Sequence, residues 1–86
     1  MDINQLLEVV KKKINENVEC EKIEVEDKTF LHRNHKNFQA NKFHIKIKIN
    51  SLHLNKLKRI DSSKIIHKIL KDELKKYIHS LQILIK

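Results

Sequence analysis

The segment from Phe43 to Ile49 has the most regular pattern of apolar and polar residues in the chain. Its odd-numbered positions are Phe or Ile, and its even-numbered positions are His or Lys. Because successive side chains of a strand point to opposite faces of a sheet, this alternation predicts a strand with one buried and one exposed face. His44 belongs to the polar set and is predicted to lie at the surface, as are His53 and His67.

The C-terminal segment from Ser62 to Lys86 predicts a helix that continues directly into a strand. Its apolar residues recur at helical spacing as far as Tyr77 and share one side of the helix. After Tyr77 the spacing shortens, and residues 81–85 form an almost continuous apolar run that is typical of a strand buried on both faces. His79 lies at the junction between this helix and this strand.

Polar residues of the same helix carry further expectations. Asp61, Ser62 and Ser63 precede its apolar pattern, and each has a side chain that can cap the first turn of a helix. Glu73 falls in the middle of the apolar side, where an unpaired carboxylate is costly to bury. Glu73 is therefore expected to be partly buried and paired with a lysine or a histidine.

The first half of the chain predicts a helix, a strand and a long loop. Asp2 and Gln5 have the spacing of a capping box before an amphipathic segment, and the alternation from Val18 to Asp27 predicts a strand. The segment from Lys28 to Lys42 has no clear period, and a loop of this length is usually functional or disordered. A short helix is predicted between Asn50 and Asp61.

These elements follow the order α, β, β, short α, α, β, and they predict a single α+β domain over residues 1–86. Two antiparallel strands, a helical crossover and a last strand give a three-stranded mixed sheet with helices packed on one face. The length of 86 residues agrees with this prediction, because it is enough for one small domain.

Composition narrows the classes of function. The formal net charge of +8 favours nucleic acid, an anionic surface or an acidic protein as partner, although an AT-biased genome gives the same Lys-rich composition. Cys20 is the single cysteine, which excludes an internal disulfide, fits a reducing compartment and is typical of a small core residue. The chain has no glycine, which excludes a Gly-rich phosphate loop, and it lacks the motifs of nucleophilic enzymes.

We therefore expect a non-enzymatic protein without a membrane span, monomeric when alone. The cytoplasm is the expected location, and the nucleus or the mitochondrion would suit the same composition.

Four segments, taken in order, resemble the BolA family. They are EVED-x-T at Glu24–Thr29, the F-x-I-x-I strand that begins at Phe43, the L-x-x-E-L pattern that begins at Leu70 and IHSLQI at Ile78–Ile83. The last segment is the distinctive one, and the resemblance covers nearly the whole chain. At residues 62–64 the chain has Ser-Ser-Lys where the family usually has R-H-R. The resemblance implies a type II KH-like fold with the order αββααβ.

The resemblance also implies a partner and a cofactor. BolA-like proteins pair with monothiol glutaredoxins of the CGFS type, and a [2Fe–2S] cluster is held between the two proteins with glutathione. The BolA-like protein contributes its C-terminal histidine, here His79, and one residue of the loop between the first two strands, here His32 or His35. His35 is favoured because it lies nearer the middle of the loop. Imidazole suits this role, because histidine replaces cysteine on one iron of some [2Fe–2S] clusters.

The alternative is a KH-like or helix-turn-helix-like module that binds nucleic acid through a basic helix face. Phosphate contacts from such a face give binding that weakens as salt is added. KH domains, however, clamp the nucleic-acid backbone with a GXXG loop, and this chain has no glycine. The same face would also orient an acidic surface of a protein partner. Its cations are Arg59, Lys64, Lys68, Lys71 and Lys75.

Overall fold

The computed structural model describes residues 1–29 and 42–86, so the predicted loop ligands His32 and His35 lie outside the described residues. The order of helices and strands differs from the prediction only in the division of the long helix. The elements are α1 (Ile3–Asn17), β1 (Lys22–Asp27), β2 (Phe43–Asn50), α2 (Leu52–Asn55), α3 (Arg59–Ile69), α4 (Lys71–Lys76) and β3 (Ile78–Ile85).

Within the described residues, the three strands form a mixed sheet in the order β1-β2-β3, with β2 at its centre. β1 pairs with β2 antiparallel, and β3 pairs with β2 parallel. Parallel neighbours need a long connection between them, and α2, α3 and α4 supply it. The structure therefore confirms the predicted α+β fold with a three-stranded mixed sheet.

The core lies between the helices and one face of the sheet. Ile45, Ile47 and Ile49 of β2 are at most 2% exposed, which confirms the predicted buried face of this strand. Burying each side chain of this size contributes about 1.5–3 kcal/mol, so the periodic apolar positions are the main source of stability. The helix residues of the same cluster are Leu6, Val10, Ile14, Leu54, Ile66 and Leu70.

The other face of β1 and β2 carries charged side chains in place of a second apolar layer. Glu26 lies between Lys28 and Lys48, and each lysine Nζ is 2.9 Å from a carboxylate oxygen of Glu26. Hydrogen bonds from these two lysines lower the pKa of Glu26 to about 2. Lys22 and Glu24 form a further ion pair at 3.0 Å.

Two local predictions from the sequence are confirmed. The backbone N–H of Gln5 donates to the Asp2 carboxylate at 2.8 Å, and the Asp2 N–H donates to Gln5 Oε1 at 3.1 Å, which completes the capping box of α1. Glu73 is 6% exposed, and Lys13 Nζ donates to its two carboxylate oxygens at 2.7 and 2.8 Å. This partly buried pair connects α1 to α4.

The prediction of one helix from Ser62 to Tyr77 is wrong at its start and in its middle. Leu70, with φ −98° and ψ 17°, separates α3 from α4. The first helical residue is Arg59, so the three predicted caps, Asp61, Ser62 and Ser63, lie inside α3. Ser62 is 2% exposed, and its hydroxyl donates to the Arg59 carbonyl at 3.0 Å. A serine hydroxyl makes such bonds inside a helix as well as at a cap, which explains the misplaced start.

The prediction that β3 is buried on both faces is also wrong. Ile78 is 2% exposed, but Gln82 is exposed and Leu84 is 38% exposed. Among the described strands β3 lies at the edge of the sheet, and the core is on one of its faces. An apolar run indicates a buried strand but does not reveal how many layers cover it. None of the helices in residues 1–29 and 42–86 is both long and apolar enough to cross a membrane.

Candidate functional site

His79 lies in an irregularity of β3 that directs its side chain away from the core. In the pairing of β3 with β2, Ile78 is opposite Phe43 and Ser80 is opposite His44, so His79 is an additional residue with no partner on β2. A bulge of this kind changes the face to which the following side chains point. Ile78 and Leu81 consequently both pack against the core, while His79 is exposed.

The ring of His79 is open to a ligand. Within the part of the chain that the structure describes, no hydrogen bond engages either of its ring nitrogens. Its backbone is held by the sheet, because it lies in a strand paired with β2. His79 therefore combines a fixed backbone with an accessible imidazole, which suits a metal ligand.

His44 is buried, and its predicted surface position is wrong. It is only 5% exposed, and its Nδ1 is 2.6 Å from the hydroxyl oxygen of Ser80. Its ring meets the ring of His79 edge to face, with centroids 5.0 Å apart and planes at 65°. Alternation along β2 assigned His44 to the correct face of the strand but did not show that β3 places two polar residues beside it. The sequence held one signal of this difference. Position 44 is a histidine, whereas the next two residues on the same face, Lys46 and Lys48, are lysines.

The ends of the loop between β1 and β2 lie next to these histidines. Lys28 N–H donates to the His44 carbonyl at 2.7 Å, and Thr29 Oγ1 accepts from the His44 N–H at 3.2 Å. At the other end, Phe43 N–H donates to the carbonyl of Tyr77 at 2.8 Å. The described residues on either side of this segment, Thr29 and Phe43, therefore both lie beside the junction that carries His79.

Cys20 lies near the opposite end of β2 from His79, because the N–H of the next residue, Glu21, donates to the carbonyl of Asn50. Cys20 follows α1, its thiol donates to the side-chain oxygen of Asn15 at 3.2 Å, and it packs against the core. Burial raises the pKa of the Cys20 thiol, which favours the neutral form over the thiolate that binds metals. Among residues 1–29 and 42–86, no three His, Cys, Asp or Glu side chains converge on a common point that would hold a metal ion.

The five cations of the predicted basic face are all exposed, but they are divided between two helices. Arg59, Lys64 and Lys68 belong to α3, and Lys71 and Lys75 belong to α4, beyond the break at Leu70. His53 and His67 are exposed, as predicted.

The comparisons with known proteins agree with this architecture. The family model described as BolA-like protein matches residues 14–86. The BolA domain of SufE1 from Arabidopsis thaliana has a TM-score of 0.83 at 24% identity, covering 99% of this chain and 94% of that one. BolA1 from the same plant has a TM-score of 0.76 at 20% identity, with 93% and 88% covered. BolA1 from Mus musculus has a TM-score of 0.74 at 16% identity, with 92% and 62% covered. No curated protein sequence matches the chain.

A small α+β domain with a three-stranded mixed sheet and these helices is the architecture of the BolA structures. The chain belongs to the BolA-like family. The resemblance expected from its four sequence segments is thereby confirmed.

Proposed function

We propose that this protein is a non-enzymatic BolA-like adaptor that pairs with a CGFS monothiol glutaredoxin and shares a [2Fe–2S] cluster with it. The role would lie in the assembly or trafficking of iron–sulfur clusters or in iron regulation, in the cytoplasm. The observation that carries the proposal is His79, an exposed imidazole on a paired strand at the point where the β1–β2 loop leaves and rejoins the sheet.

The ligands of such a cluster would come from both proteins. His79 and one loop histidine, His32 or His35, would supply imidazole nitrogens, and the glutaredoxin and glutathione would supply thiolates. One chain with two imidazoles does not complete the ligand set of a [2Fe–2S] cluster, which is why a thiolate partner is required. When the heterodimer forms, the two imidazoles would replace the ligands that the second glutaredoxin supplies in the glutaredoxin homodimer.

The first test compares reconstituted complexes. The chain is mixed with a CGFS glutaredoxin, iron, sulfide and glutathione, and the absorbance and circular dichroism of the cluster are recorded. We expect a spectrum distinct from that of the glutaredoxin homodimer, and we expect His79→Ala to lose that distinct signal. His53→Ala removes an exposed histidine on α2 and is the matched control, expected to be unchanged.

The loop ligand is identified in the same assay. His32→Ala and His35→Ala are compared singly, and the variant that alters the spectrum marks the ligand. A His79→Ala complex with the wild-type spectrum would rule out the ligand role of His79.

Nucleic-acid binding is the second candidate, and the five exposed cations on α3 and α4 support it. A mobility assay with duplex DNA at two salt concentrations tests it. Binding that persists at the higher salt and depends on sequence would support this function. Sequence-independent binding that disappears would leave only a basic surface.

A further inference from the structure

A groove runs along β3 on the side of α2 and α3, separate from His79. Its lining includes every residue from 81 to 85 of β3. Neighbouring side chains of a strand point to opposite faces, so five consecutive lining residues indicate that the groove follows the edge of the strand. β3 is the edge strand of the sheet in the part of the chain that the structure describes. An edge strand presents backbone N–H and C=O groups that another strand can bind.

The walls of this groove hold three of the five exposed large apolar side chains among the described residues. Leu57, Ile60 and Leu84 are 36%, 62% and 38% exposed, and all three line it. Among the described residues the other large apolar side chains with high exposure are Met1 and Leu52, and neither lines the groove. Exposed apolar side chains that cluster at one place mark interaction sites more often than isolated ones do.

The ionised side chains of the groove have one sign. Lys46, Arg59 and Lys64 line it, and the described lining residues include no carboxylate. A groove lined by charges of one sign attracts ligands of the opposite sign and disfavours like-charged ones. The occupant is therefore expected to carry both carboxylates and aliphatic side chains.

The lining chemistry favours a peptide over single-stranded nucleic acid. Single strands bind through aromatic side chains on which successive bases stack. The described lining residues include no Phe, Tyr or Trp, and His67 is the single ring among them. A KH-type backbone clamp requires glycines, and the chain has none. A strand edge beside aliphatic pockets, in contrast, is how extended peptides are recognised.

We propose that the edge of β3 and this groove bind an extended acidic and aliphatic segment of a partner protein by adding it to the sheet as a fourth strand. The backbone of the segment pairs with the edge of β3 that faces away from β2. Its aliphatic side chains pack against Ile60 and Leu84, and its carboxylates face Arg59 and Lys46. This surface is independent of the cluster site, because it uses a different part of β3 from His79.

The test selects binders for the full-length protein from a displayed library of random decapeptides. Enriched peptides are expected to alternate aliphatic and acidic residues. For the best of these peptides, Ile60→Glu and Leu84→Glu are each expected to weaken binding by about tenfold or more. Leu52→Glu, at an exposed leucine outside the groove, is the matched control and should bind as the wild type does. Far-ultraviolet circular dichroism verifies that all variants fold.

Two further measurements separate strand addition from simple attraction. Methylating alternate backbone nitrogens of the peptide is expected to weaken binding by about tenfold, because it removes main-chain donors. Amide resonances of residues 81–85 should shift most in the NMR spectrum of the complex. His79→Ala should leave peptide binding unchanged, which separates this proposal from the cluster-sharing function.

Several results would overturn the proposal. The first is that selection enriches peptides no more strongly on the wild type than on the Ile60→Glu, Leu84→Glu double variant. The second is enrichment of peptides without acidic residues, and the third is binding that tolerates backbone methylation. Oligothymidylate that binds more tightly than any selected peptide and displaces it would assign the groove to nucleic acid instead.

Discussion

The imidazole ring of the buried His44 contacts the ring of the exposed His79 edge to face, with the two centroids 5.0 Å apart. His44 is itself held by Ser80, whose hydroxyl oxygen is 2.6 Å from its Nδ1. A fixed ring on the central strand thus restricts the orientations of a ring on the edge strand. His44 is best described as a positioning residue for His79, because it acts through that ring.

The first prediction concerns this ring pair. His44→Ala removes a buried side chain and its hydrogen bond, and it should lower the free energy of unfolding by about 2–3 kcal/mol. His44→Phe keeps an aromatic ring next to His79 and should recover part of this loss. Urea denaturation measures the stability, and the NMR linewidths of the His79 ring measure its mobility.

The two variants separate positioning from packing. If His44 orients His79, the linewidths of the His79 ring resonances change in His44→Ala and return towards the wild-type values in His44→Phe. Identical His79 spectra in wild type and His44→Ala would show that His44 serves packing alone.

The second prediction concerns the pair between Lys13 and Glu73. Lys13→Met leaves a carboxylate that is 6% exposed without its cation, and the expected loss of unfolding free energy is about 3 kcal/mol. Adding Glu73→Leu to this variant should restore most of the loss, because two apolar side chains can replace a buried ion pair. Urea denaturation of the single and double variants provides the measurement. A loss no larger than that of the exposed control Lys12→Met would contradict the role of the pair.

The third prediction concerns the dependence of stability on pH. Lys28 and Lys48 lower the pKa of Glu26 to about 2 in the folded protein, below the value of about 4.3 for an unperturbed glutamate. A lowered carboxyl pKa stabilises the fold above the unfolded pKa, and this contribution disappears as the pH falls through the folded pKa. Glu26→Gln should therefore be less stable than wild type at neutral pH, and the difference should shrink between pH 4.5 and 2.

Urea midpoints across this pH range provide the measurement for Glu26. Glu16→Gln, at an exposed position on α1, is the control. A gap between wild type and Glu26→Gln that stays constant from pH 7 to pH 2 would exclude the proposed ion pairs.

The fourth prediction distinguishes the observed start of α3 from the start that the sequence suggests. At an N-cap, Ser62→Ala would cost about 1 kcal/mol. Inside α3 the substitution removes a bond to the preceding turn and raises helix propensity, so the stability should stay within about 0.5 kcal/mol of wild type. Equilibrium unfolding in urea measures the difference. A loss as large as that of Asp2→Ala, which removes the α1 cap, would place a helix start at Ser62.

The sequence predictions were most accurate for features that depend on residues close together in the chain. The alternation in β2 predicted the buried faces of Ile45, Ile47 and Ile49, because strand periodicity is a property of neighbouring residues. The capping box of Asp2 and Gln5 was predictable for the same reason. The break at Leu70 was not, since the apolar spacing continues across it.

The sequence by itself determined the family, the order of the elements and the position of His79 at the start of the last strand. Only the tertiary structure decided the surroundings of His79. Its contact with His44 joins residues 35 positions apart through parallel pairing and a bulge, and the Lys13–Glu73 pair spans 60 positions. The tertiary structure also placed β3 at the edge of the sheet that the described strands form. Local periodicity fixes which face a side chain occupies, whereas register and the covering layers depend on the packing of distant segments.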